Sequence, residues 1–214
     1  MLKALGASLS AAICAVTAAD AAVFVENFDD QNIGRSWGVY DSHGQFVTTA
    51  GGGIEIQRGV VTASHTGSQH VELDSHGRSS NSSMAAVVDL VAGLTYKMTF
   101  AYKPRTGRDG DNGIGFSIGS LMGNSFSMTQ WVDSVDGNSN TQRDWNLIDM
   151  VFTASEGDNA IQFSALGRAN TYGGLLDSIK IEQVTTPVPA AGLLLVTGLV
   201  ALRSSRQRKR LTLG

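Results

Sequence analysis

Cysteine is all but missing from these 214 residues: the one present, Cys14, lies inside an apolar amino-terminal stretch. Beyond that stretch no disulfide, thiolate metal site or cysteine nucleophile is available, so stability has to come from an apolar core or a bound ion. Proline is scarce at 3 residues and charged residues make up only 16 %, whereas glycine reaches 25. That mixture does not build long charged surface helices; it builds many short strands joined by turns. Catalytic signatures are lacking too. Gly-x-Ser-x-Gly does not occur, and the calcium-loop spacing fails at "DGNSN", where Thr141 stands in the glycine place and Leu147 in the glutamate place.

Long apolar runs are confined to the two ends. The first, "MLKALGASLSAAICAVTAADAA", opens on Lys3, continues through an apolar stretch over 4–18 and closes on the small-x-small site Ala19-Asp20-Ala21. It predicts an export signal over 1–21, removed before Ala22. The second run, 190–202, is followed by Arg203, Arg206, Arg208, Lys209 and Arg210, a basic end that the positive-inside tendency holds in the cytoplasm. Its 13 residues are fewer than the roughly 20 a membrane-spanning helix needs, although counting back to Val184 gives 19. With Thr186-Pro187-Val188-Pro189-Ala190 ahead of it, the segment 186–214 resembles the VPLPA-type carboxy-terminal sorting signals of Gram-negative bacteria, with Thr and Val replacing the first Val and the Leu. That resemblance implies an exosortase-type membrane transpeptidase as partner, transient anchorage in the inner membrane, and delivery to the cell surface or its matrix.

Between these ends lies one domain, 22–185, carrying 10 Lys plus Arg against 18 Asp plus Glu, a net charge of about −8. An acidic surface disfavours nucleic acid and anionic membrane as partners and suits cations and neutral glycans. Its pattern has a period of two. In "LTYKMTFAY", Leu94, Tyr96, Met98, Phe100 and Tyr102 share one face while Thr95, Lys97 and Thr99 take the other, as in a half-buried strand. Strands are predicted over 23–28, 53–57, 60–63, 70–74, 84–91, 94–102, 113–118, 146–154, 160–165 and 175–183. The fold class is therefore all-β, a two-sheet jelly-roll sandwich.

Candidate chemistry is sparse. Glu55, Glu72 and Asp74 alternate with apolar neighbours, which points them outward as solubilising acids. Glu72 and Asp74, at i and i+2, also have the spacing of a glycosidase carboxyl pair, about 6.5 to 7 Å by strand rise. The four histidines, His43, His65, His70 and His76, read as surface residues. Glu26 shares the parity of Phe24 and Phe28, and Asp177 that of Ile179 and Ile181, so both acids face inward. A carboxylate facing a core requires hydrogen bonds, a cationic partner or a metal. With Asp29 nearby, the metal solution is a hard cation, calcium, held by Glu26, Asp29 and Asp177; the hydrogen-bonded solution stands beside it. Aromatic platforms for sugar C–H faces are sought in Trp37, Tyr102, Trp131 and Tyr172, with Arg105 as polar clamp, against the alternative that such rings belong to the core.

The stretches "GGIEIQR", "GSQHVELDS", "VDLVAGLTYKMTFAYKPRTG", "DNGIGFSIG" and "GGLLDSIKI" together resemble, in order and spacing, the galactose-binding-like family catalogued as domain of unknown function 642. The resemblance spans Glu26 to Val184. It implies a jelly-roll sandwich of the carbohydrate-binding-module type, without catalytic residues, associated with polysaccharide, and a structural calcium held by an acid near the first strand and the Asp of "LLDSI". Plant members carry two such domains in tandem; this chain has room for one. The expectation is an exported, surface-sorted carbohydrate-binding or biofilm-matrix protein. Its rivals are a secreted glycan hydrolase or lyase using Glu72 and Asp74, and a purely structural surface protein.

Overall fold

The structure, a computed structural model, describes residues 22–34, 36–77, 81–108, 110–132 and 144–185. The expected export signal, the expected sorting motif Thr186 to Ala190 and the apolar run behind it lie outside the described residues. Thirteen strands and no helix occur among those described: β1 (Ala22–Glu26), β2 (Trp37–Tyr40), β3 (Ser42–His43), β4 (Phe46–Ala50), β5 (Ile54–Gln57), β6 (His70–Glu72), β7 (Ser83–Val87), β8 (Thr95–Pro104), β9 (Ile114–Ser120), β10 (Ser125–Val132), β11 (Asn146–Thr153), β12 (Ala160–Ala165) and β13 (Gly174–Gln183).

They form two antiparallel sheets. One runs β11-β8-β13-β6-β5-β2, with β1 also paired to β13; the other runs β10-β9-β12-β7-β4-β3. Alternation supplies the core between them. Tyr96, Met98, Phe100 and Tyr102 of β8 meet Phe116 and Ile118 of β9, Ile161 and Phe163 of β12, Met84 of β7 and Phe46 of β4 in one apolar cluster. Rings interlock edge to face within it, as between Phe100 and Phe163, whose centroids lie 5.3 Å apart.

Strand β13 departs from simple alternation. Between Asp177 and Lys180 its register against β8 slips by one residue, and Ser178 adopts a φ of 51°. A bulge of this kind reverses which side chains face inward. Before it, Leu176 pairs with Tyr102 on the core side while Leu175 and Asp177 face outward; after it, Ile179 and Ile181 are in the core. The inward parity expected for Asp177 is thus corrected. Glu26 does face inward and is buried. It accepts the Phe28 amide at 2.8 Å and the Gln45 amide at 2.7 Å, tying the first sheet to the β3–β4 turn of the second. Gly44 in that turn has a φ of 56°, and a Cβ there would collide with the Glu26 carboxylate.

The strand expected over 60–63 does not form. Residues 58–69, between β5 and β6, instead run as a strap over the outer face of the first sheet. The Asp177 carboxylate accepts the His65 and Thr66 amides at 2.8 and 3.1 Å. Lys103 Nζ donates to Thr62 Oγ1 at 2.8 Å and Trp145 Nε1 to the Ala63 carbonyl at 3.0 Å. At the far end Asp29 accepts the Ser68 amide at 2.9 Å, and its carboxylate lies where a Cβ on Gly67 would have to be.

Candidate functional site

The strap changes what the outward acids are. Glu55, Gln57, His70, Glu72 and Asp74 sit on the outer face of the first sheet, as alternation requires, and the bulge in β13 puts Asp177 there too, yet all are buried. The reading of Glu55, Glu72 and Asp74 as solvated surface acids is corrected, and so is the surface reading of His43 and His70. A buried carboxylate needs donors, and tracing the donors reveals one connected network.

Glu55 on β5 and Glu72 on β6 are direct cross-strand partners. Gln57 Nε2 sits between them, donating to Glu55 at 2.9 Å and also to Glu72. Outward from Glu72, the Arg105 guanidinium forms an ion pair and the Gly173 amide donates at 2.7 Å. Arg105 also donates to the Thr171 carbonyl at 3.0 Å and lies 4.8 Å from the Tyr172 ring centroid. Outward from Glu55, His76 donates its amide at 2.7 Å and places Nδ1 at 3.1 Å; its imidazole then stacks on Trp37 with centroids 4.5 Å apart. The chain of contacts reads Trp37, His76, Glu55, Gln57, Glu72, Arg105, Tyr172. It ends on two exposed rings, at 44 % for Trp37 and 48 % for Tyr172. From β2, which carries Trp37, to β13, which Tyr172 precedes, is three strand spacings, roughly 14 Å at 4.7 to 4.9 Å each.

Two loops hold the Tyr172 end. Asp74 accepts the Asn170 and Tyr172 amides at 3.1 and 3.0 Å. Asp111 accepts Asn170 Nδ2 at 2.9 Å and Thr106 Oγ1 at 3.1 Å. Asn112, fully buried, takes the Arg105 and Thr106 amides on Oδ1 at 2.8 and 3.0 Å, winding the 105–112 turn around itself.

Burial dominates the electrostatics. It pushes the Glu72 carboxyl up to about 7, against the pull of Arg105 and the Gly173 amide. It raises Asp177 to about 6, against the Thr66, Ser178 and His65 amides. His70 is lowered to about 4, first by burial and then by the charges of Lys103 and Arg105. Gln57 Oε1 and Asp74 Oδ1 are buried with no hydrogen-bond partner among the described residues.

The other expected site residues fall as follows. Tyr102 is a correction: it is buried in the core with its hydroxyl on the Asn112 carbonyl at 3.0 Å, because β8 alternation points it inward, and it offers no platform. Arg105 is a clamp on Tyr172 and Glu72, its side chain only 14 % exposed. Trp131 belongs to β10, at the edge of the opposite sheet, apart from the network. Glu26, Asp29 and Asp177 do not converge. Each accepts backbone amides, and among the described residues no group of three or more His, Cys, Asp or Glu side chains is placed to hold a metal ion. These residues do not fit the expected calcium set. Gln57, His76 and Asn112 were not anticipated; the shared parity of Glu55 and Gln57 in "IEIQ" is the one signal that pointed to the first of them.

No family model matches the sequence, and none of the curated proteins does. Among solved structures, the K2 cleaved adhesin domain of Lys-gingipain superposes over 76 % of this chain and 98 % of its own, at 16 % identity and a TM-score of 0.50. Modules of xylanase 10B from Clostridium thermocellum, solved with xylohexaose, align over 79 % of this chain and 30 % of theirs, at 14 % identity and a TM-score of 0.48. The CBM22-1 xylan-binding domain of Paenibacillus barcinonensis Xyn10C covers 80 % of this chain and 99 % of its own, at 10 % identity and a TM-score of 0.43. The first of these likenesses establishes the two-sheet sandwich fold.

Proposed function

We propose that the chain is an exported, non-catalytic carbohydrate-binding protein that holds polysaccharide across Trp37 and Tyr172. The observation that carries this reading is the pair of half-exposed rings, each backed on one face by a basic side chain that a buried glutamate anchors. Sugar C–H faces stack on aromatic rings, and rings fixed in place before binding cost less conformational entropy. The roughly 14 Å between the two strand positions suits a short oligosaccharide better than a single sugar.

Binding is favoured over hydrolysis by the state of the acids. Glu72 and Asp74 are both 0 % exposed, and three of their four oxygens are taken by Gly173, Gln57, Arg105, Asn170 and Tyr172. A general acid or nucleophile has to reach the scissile bond, and neither group reaches solvent. The likeness to domain of unknown function 642 belongs to the same reading, as do export through 1–21 and sorting to the cell surface or matrix through 186–214.

Native gel electrophoresis through polysaccharide tests it. The purified protein is retarded by a binding glycan; Trp37→Ala and Tyr172→Ala each weaken retardation by 1 to 3 kcal/mol, roughly 5- to 150-fold in affinity. No retardation by any of xylan, glucomannan, galactan or polygalacturonate would leave a purely structural surface protein.

A further inference from the structure

Beside Tyr172 lies a hollow of about 300 Å³ lined by Thr106, Arg108, Asp111 and Tyr172. Its charges are unevenly engaged. Arg105 is paired with Glu72, and Arg168 lies 3.7 Å from Asp111, whose oxygens also take Asn170 and Thr106. Asp74, the remaining acid under this loop among the described residues, is buried against the Asn170 and Tyr172 amides. Arg108 is exposed and has no carboxylate partner among the described residues. It is also well placed, because its carbonyl accepts the Asp111 amide and its own amide donates to Thr106 Oγ1 within the turn wound around Asn112.

We propose that this hollow takes the carboxylate of an anionic sugar, a uronic acid residue of a polysaccharide, with Arg108 as the partner of the carboxylate and Tyr172 under the sugar ring. The proposal rests on the reading of Tyr172 as a sugar platform and names the class of sugar it receives. The planar guanidinium fork matches a carboxylate with two parallel hydrogen bonds, which a neutral sugar cannot return. In a domain of about −8 net charge such a polymer is otherwise repelled. A free cation at the aromatic platform is what binding it requires.

The experiment compares polygalacturonate, a sulfated galactan and unsubstituted xylan in native affinity gels at two salt concentrations, with Arg108→Gln and Tyr172→Ala beside the unaltered protein. Arg108 is exposed, so Arg108→Gln should fold, which an unchanged melting curve verifies. The expected result is preference for polygalacturonate over both other polymers. That preference is lost by about tenfold in Arg108→Gln and reduced by salt, with xylan retention untouched. Equal retention of the two proteins on polygalacturonate, or preference for the sulfated polymer or for xylan, overturns the uronate assignment while leaving the platform in place. Retention by none of the three overturns the uronate assignment, and the platform falls with it when glucomannan and galactan are not retained either.

Discussion

Arg105→Gln is the perturbation whose outcome the network defines most sharply. It removes the cation from a fully buried Glu72 and the backing from the Tyr172 ring, leaving the Gly173 amide and Gln57 as the donors to the carboxyl. The cost depends on whether Glu72 is charged. In the intact protein its carboxyl titrates at about 7, so at pH 5 it is protonated and Arg105 supplies one hydrogen bond and a cation–π contact, together about 1 to 2 kcal/mol. At pH 8 Glu72 is ionised in the intact protein but stays protonated once Arg105 is gone, and losing that one pH unit of ionisation adds about 1.4 kcal/mol to the cost. Urea denaturation at the two pH values should therefore show a loss larger by about 1.4 kcal/mol at pH 8. Glu72→Gln in the Arg105→Gln background should restore most of it at pH 8 and little at pH 5. A loss equal at both pH values, or a double variant no more stable than the single one at pH 8, would refute the account of a buried ion pair at the centre of the network.

Three further outcomes rest on the same geometry and a fourth on the carboxy-terminal sequence. Glu72 and Asp177, raised from 4.5 to about 7 and from 3.8 to about 6, bind protons more tightly folded than unfolded, so stability falls as pH rises through those windows; His70, lowered from 6.5 to about 4, gives the opposite slope over its own. Replacing Glu72 by Gln should abolish a decline of roughly 3 kcal/mol between pH 4.5 and 7, read from urea midpoints. Asp177→Asn should weaken the strap, seen as loss of hydrogen-exchange protection at the His65 and Thr66 amides by about 1 to 2 kcal/mol, whereas calcium and a chelator should give the same melting temperature because amides already occupy Glu26, Asp29 and Asp177. The surface-sorted form, measured by intact mass, should lack the residues from the apolar run 190–202 to Gly214; a mature protein still ending at Gly214 would remove the sorting signal from the account.

Strands with strong alternation, such as β8 and β11, were legible because one face is buried and the other is not, and that is all a period of two encodes. The strands that escaped, β2 (WGVY), β3 (SH), β4 (FVTTA) and β10 (SFSMTQWV), are short or rich in Ser, Thr and Gly, so their apolar signal is weak. Residues 60–63, VVTA, have strand propensity but no strand to pair with, and tertiary anchoring to Asp177, Lys103 and Trp145 draws them into the strap. Asp177 was assigned to the wrong face because a one-residue bulge resets parity without a mark in the sequence. The site suffered from the same blindness. Alternation placed Glu55, Glu72 and Asp74 on the outer face correctly, but a period of two cannot say that a loop twelve residues long folds back over that face. Trp37, Tyr172 and Arg105 were legible as residue types; that they close one chain through Gln57 and His76 is a property of the pairing of β5 with β6.

Glycan held across Trp37 and Tyr172 should leave its mark on the outer face of the first sheet. The most direct test is an amide and indole NMR titration with oligogalacturonate and with xylo-oligosaccharide. Shifts should concentrate at the Trp37 indole, His76, Arg105, Tyr172 and Gly173, with the Trp145 indole and the strands of the opposite sheet unmoved. Shifts confined to β10 around Trp131, or none at saturating ligand, would contradict it.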